Sequence, residues 1–105
     1  MILNVVADGQ TFSLDVPDNL LAEAQAFFNK MDADMDKGWQ VGRDWVDAPT
    51  VDQRCQVVAD RLLTAMENKN QQMAMLMAAY ILSKAPNIET IYVDTSGEIS
   101  ETHFM

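Results

Sequence analysis

The greatest chemical potential of the chain is concentrated in one short stretch, Asp32-Ala33-Asp34-Met35-Asp36-Lys37-Gly38. Carboxylates at alternate positions of a loop are what a hard cation such as calcium requires. Here they fall where the first, third and fifth ligands of a calcium loop would sit. Two positions depart from that pattern. Lys37 stands where a Gly makes the sharp turn, and Arg43 stands where a bidentate Glu closes the site. Asp44 supplies the closing oxygen only if one residue is inserted. The candidate metal ligands are therefore Asp32, Asp34, Asp36 and Asp44, with calcium as the ion. The same stretch also reads as the end of an amphipathic helix, with Met31 and Met35 inward and Asp32 and Asp36 on a polar side. That reading takes precedence, although acids at a helix C-terminus oppose its dipole.

A second group is Trp39, Arg43 and Trp45. Trp and Arg concentrate at binding surfaces, so these three are candidate ligand or partner contacts. The plainer reading makes 38–49 an irregular or short-helical connection that the two indoles pin to the helices. Cys55 and His103 are the only residues of their kinds. A nucleophilic Cys needs a base, and nothing in the spacing brings His103 to it. Cys55 instead falls on an apolar helical stripe and reads as a core thiol. Gly9, Gly38, Gly42 and Gly97 are too scattered for a phosphate-binding loop, and there is no H-E-x-x-H motif. No catalytic residue is assigned, the chain is expected to be non-enzymatic, and no cofactor other than calcium is indicated.

These residues must be held by a small set of elements. Asp8-Gly9 predicts a two-residue turn that pairs Val5 with Phe12 and Leu3 with Leu14. The turn places Leu3, Val5, Phe12 and Leu14 on one face and Ile2 and Val6 on the other. A helix capped by Asp18 or Asn19 then runs to Gly38 through Leu20, Leu21, Ala24, Phe27, Phe28, Met31 and Met35. Thr50-Val-Asp-Gln53 is a capping box and starts a second helix. A third helix, opened by Asn68 with Gln71, is apolar nearly all round from Met73 to Leu82 and must be buried on several sides. Ile88 to Asp94 is β-rich, and Thr95-Ser96-Gly97 predicts a hairpin that pairs Val93 with Ile99 and Ile91 with Glu101. The expectation is a single α+β domain over 1–105, ordered β-β-α-α-α-β-β. Its two hairpins form an antiparallel sheet with three helices on one face.

The 105 residues carry 16 acidic and 7 basic side chains, a formal charge of −9. Scattered Lys and Arg exclude nucleic acid as a direct partner, and the same charge disfavours anionic membrane surfaces. With a lone cysteine, no signal-like leader and no long apolar run, a cytoplasmic protein is expected. The sheet face away from the helices should expose Ile2, Val6, Ile88, Tyr92 and Phe104, and such a patch marks an interface. The leading functional expectation is a protein-interaction module that pairs with itself as a homodimer or with another protein. The alternatives are calcium binding at Asp32–Asp44 and a small-ligand site near the Trp loop.

Three strings carry a resemblance: Asp34 to Gln40 (DMDKGWQ), Gln53 to Ala65 (QRCQVVADRLLTA), and Asp94 to Glu98 followed by Glu101-Thr102. Together they resemble a small proteobacterial protein family without an assigned activity, over most of the chain from about residue 27. The resemblance implies a bacterial cytoplasmic protein and brings no catalytic residues with it.

Overall fold

The computed structural model describes residues 1–41 and 43–105. Strands β1 (Ile2–Ala7) and β2 (Gln10–Asp15) form the expected hairpin, with Val5 opposite Phe12 and Leu3 opposite Leu14. Asp8 and Gly9 both take positive φ, as the two-residue turn requires. The pairing continues past the strand ends, where the Met1 ammonium donates to the Val16 carbonyl at 2.8 Å.

The first helix is broken into α1 (Asp18–Glu23) and α2 (Gln25–Asp36), and neither Asp18 nor Asn19 caps it. The break has a local cause. The Gln25 side chain donates to the Leu21 carbonyl at 2.8 Å, the acceptor that the Gln25 backbone amide would use in a continuous helix. The Trp segment is likewise not an irregular connection. It is a small two-stranded sheet of β3 (Trp39–Val41) and β4 (Asp44–Val46); the intervening Gly42 lies outside the described residues.

Helix α3 (Val51–Glu67) starts at the expected capping box, with Thr50 Oγ1 accepting from the Gln53 amide and Gln53 Oε1 accepting from the Thr50 amide. It ends one step later than the sequence implied. Asn68 belongs to its C-terminus, and Asn70 caps α4 (Gln71–Lys84) by accepting from the Met73 amide at 3.2 Å. The turn between them carries paired closing bonds, Asn70 N–H to Ala65 O and Lys69 N–H to Met66 O. Glycine usually occupies the left-handed position of such a turn, yet here Lys69 holds φ 58.

Strands β5 (Thr90–Tyr92) and β6 (His103–Phe104) complete one four-stranded sheet in the order β2-β1-β5-β6. The α+β class holds, with four helices instead of three among the described residues and a mixed rather than wholly antiparallel sheet. β1 and β5 run parallel, with Val5 beside Ile91 and Val6 beside Tyr92. Parallel neighbours need a long crossover, and the helical layer supplies it. The last hairpin is also wider than expected, pairing Ile91 with Phe104 and Tyr92 with His103. The Asp94 carboxylate gathers the Ser96 and Glu98 amides, and a short 3-10 turn over Ile99–Glu101 follows. These features use up the residues that a tight hairpin would have paired.

The core lies between one sheet face and the helices. Leu3, Val5 and Ile91 meet Val58, Leu62 and the buried side of α4, including Ala78, Ala79, Ile81 and Leu82. Small alanines let α3 and α4 approach closely, and each fully buried Leu or Ile contributes about 2 kcal/mol. Replacing Lys69 by Gly removes the cost of a side chain in the left-handed region, about 1 kcal/mol, less the extra flexibility Gly has when unfolded. Lys69→Gly should raise stability by about 0.5 kcal/mol and the melting temperature by about 3 °C. Thermal unfolding followed by circular dichroism measures this.

Candidate functional site

Where helices α2, α3 and α4 meet, the structure builds a charged cluster that sequence reading missed. Asp32 Oδ1 accepts from the Tyr80 hydroxyl at 2.6 Å and from Arg54 Nη1 at 3.3 Å, while Oδ2 accepts from Lys84 Nζ at 2.6 Å. Arg54 Nη2 reaches Asp36 Oδ1 at 2.5 Å, and Arg54 Nε donates to the Pro49 carbonyl at 3.0 Å. Tyr80 is fully buried and packs edge-on against Phe28, with ring centroids 5.8 Å apart. Lys84 lies over the Tyr80 ring, 5.4 Å from its centroid. Burial works to raise the Asp32 carboxyl, but the hydrogen bonds from Lys84 and Tyr80 and the Lys84 charge outweigh it and hold the group below its ordinary value. The hydrogen bond to Asp36 raises Arg54 further. Burial, then the bond to Asp32, raises the Tyr80 phenol.

The four candidate metal ligands are placed apart or already engaged. The oxygens of Asp32 and Asp36 that a calcium ion would use already face two fixed cations. Asp34 is exposed on another side of α2, and Asp44 is exposed on β4. Among the described residues, no three His, Cys, Asp or Glu side chains are grouped to hold a metal. The signal for the cluster was present but indirect: Tyr80 and Lys84 stand four apart and so share one side of α4.

The Trp group does not converge either. Trp39 is half-buried against the core, with the Arg61 guanidinium 4.8 Å from its ring centroid. Trp45 is 61% exposed and donates to Asp47 Oδ1 at 3.0 Å. Its ring covers Gly38, where a Cβ would come within 2.6 Å of it. Arg43 pairs with Glu98 at 3.3 Å. One indole therefore pins the segment to the body and the other lies outside.

Of the interface residues read from sequence, Ile2, Val6 and Tyr92 do occupy the open sheet face. Ile88 and Phe104 do not: both pack against the core, because the wider last hairpin puts Phe104 opposite the buried Ile91. The open face is also interleaved with polar groups. Ser13 donates to Asn4 Oδ1 at 2.7 Å, and Tyr92 stacks on His103 with centroids 4.8 Å apart. Apolar and polar side chains therefore alternate across this face.

Cys55 and His103 do line one cavity, of about 460 Å³, together with Gln56, Lys84, Thr102 and Phe104. Burial, with the Asp52 charge adding to it, pushes the Cys55 thiol up to about 11, so little thiolate exists at neutral pH. Lys84 is held by Asp32, and the His103 ring is held on Tyr92.

The free edge of β2 is the feature that neither periodicity nor motif identified. Met1–Val16 bonding fixes which pairs of the hairpin are hydrogen-bonded. The alternation then directs the amides and carbonyls of Thr11, Ser13 and Asp15 away from β1. β2 ends the strand order, and Phe12, on its helix-facing side, is still 39% exposed. The polar alternation Thr11-Ser13-Asp15 was the available signal.

A lowered Asp32 pKa stabilises the fold above the unfolded carboxyl value of about 4 and stops doing so as pH falls through the lower folded value. Asp32→Asn should cost about 2 kcal/mol at neutral pH. That deficit should shrink steadily below about pH 4, as measured by urea unfolding of both proteins across pH.

No helix among the described residues is long and apolar enough to cross a membrane. No protein-family model, curated protein or solved structure matches this chain.

Proposed function

We propose that the chain is a non-enzymatic protein-interaction module whose docking element is the free edge of β2. The observation that carries this reading is the edge itself. A six-residue strand presents unpaired backbone groups, and Asp15 at its end is its only charged protection: it has no Pro and no Lys, and no covering element is bonded to its outer side among the described residues. The opposite edge, β6, is only two residues long. The state of the reactive side chains supports the non-enzymatic part of the reading. Cys55 is held as a thiol, and Lys84 is tied to Asp32.

In the isolated protein at low concentration, the amides of Thr11, Ser13 and Asp15 should exchange with solvent about a hundredfold faster than those of Phe12 and Leu14. Nuclear magnetic resonance hydrogen exchange reads this alternation. Protection of all five amides in the dilute monomer would mean that the edge is already covered, and the proposal would fall.

A homodimer is the second reading, favoured by one register. Antiparallel pairing of β2 with its copy can set Phe12 opposite the copy's Leu14, joining two half-exposed apolar side chains on each side of the two-fold axis. Two acidic copies repel, so such a dimer should tighten as salt rises from about 50 to about 500 mM. Sedimentation equilibrium would show this, and a monomer at both salts removes the homodimer.

A further inference from the structure

We infer that the β2 edge takes an extended, basic segment of a partner protein, added as a fifth strand. This inference rests on the docking role proposed for β2 and identifies the chemistry of what docks. Beside the turn end of β2, a cavity of about 470 Å³ lies between the sheet and α3, with Phe12 and Leu63 as apolar walls and Asp8, Asp60, Glu67 and Asp94 as carboxylates. No Lys or Arg lines it. None of these four acids forms an ion pair within the described residues. Four of the chain's seven basic side chains are engaged elsewhere: Arg54 and Lys84 at Asp32, Arg43 at Glu98, and Arg61 over Trp39.

A strand added to β2 would bond to the outward amides and carbonyls of Thr11, Ser13 and Asp15, and every second side chain would fall on the helix side, with Phe12 and Leu14. At the turn end that side opens on Asp60 and Glu67 of α3. Backbone pairing gives such a segment affinity, while Lys or Arg at alternate positions gives it selectivity.

Charge decides between this occupant and a second copy. A second copy presents the same acidic cavity and no basic complement to it. Each copy also carries −9 overall. Like charges brought together suppress association, whereas a basic segment finds its complement at the same place.

The test uses fluorescence anisotropy with a short synthetic peptide alternating Lys and Val. Its controls are the same peptide with alternate backbone amides N-methylated, and a peptide alternating Glu and Val. The Lys peptide should bind, about tenfold more weakly at about 500 mM salt than at about 50 mM. The N-methylated peptide has the same charge but cannot pair, and should bind about tenfold more weakly or not at all. Thr11→Pro, which deletes an outward amide on the edge, should weaken binding similarly. The double variant Asp60→Lys, Glu67→Lys should reverse the preference toward the Glu peptide. Equal binding of the methylated and unmodified peptides would show charge attraction without strand addition and overturn the inference. The N-methyl comparison uses the unaltered protein, so it holds even if Thr11→Pro fails to fold. If the Glu peptide or a second copy instead protects the Thr11, Ser13 and Asp15 amides, β2 remains a docking edge and the basic partner is excluded. If neither peptide nor copy ever protects them, both proposals fall.

Discussion

Helix α4 is apolar all round from Met73 to Leu82, and water must be kept from its second half. Its second half, Met77 to Leu82, is buried without interruption. A helix of this kind cannot lie on a surface. It has to be covered by the sheet on one side and by other helices on the rest. The inner residues Leu3, Val5 and Ile91 supply the first cover, and α3 with Val58, Ala59 and Leu62 supplies the largest part of the second. The short α1 and the first half of α2 close the remaining side through Leu20, Leu21 and Phe28. The order of the sheet follows from the same demand. The two strands richest in buried apolar residues, β1 and β5, sit in the middle over α4, and the polar β2 is left outside.

The Asp32 cluster is tied to that constraint. Tyr80 is on α4, so its hydroxyl is carried into the interior with the helix and must find an acceptor there. Asp32 on α2 meets it, and a carboxylate taken out of water then needs cations, which Lys84 and Arg54 provide. Each charge in the group answers the burial of another. The acids that first look like a metal site are therefore the electrostatic consequence of one phenol at depth. They tie three helices together.

What could be read from the residues alone was local. Asp8-Gly9 set the register of the first hairpin because positive φ at two adjacent positions has few other uses. Thr50 with Gln53 set the start of α3 because the reciprocal bonds need only that spacing. The features that escaped were those decided by a competitor. Gln25 takes a carbonyl from its own helix, Asp94 gathers amides that a hairpin would have used, and Lys69 stands where Gly is usual. The sheet order escaped for a different reason: the alternation in β1 and β2 is the same whether β5 docks beside one or the other. That choice made β2 an edge, so the candidate docking element became visible only with the tertiary arrangement.

The parallel pairing of β1 with β5 also governs when the structure can form. Residues 4–6 bond to residues 89–93. The first hairpin is therefore without its central neighbour until the helices and β5 have been made. A two-stranded hairpin is marginal by itself in water. During that interval both edges of the hairpin are open, including the apolar one that β5 later covers. Contacts of such long sequence separation are costly to close and slow to form. Until β5 arrives, a strand edge is exposed on each side of the first hairpin, and passage to the finished sheet depends on the few residues of that strand.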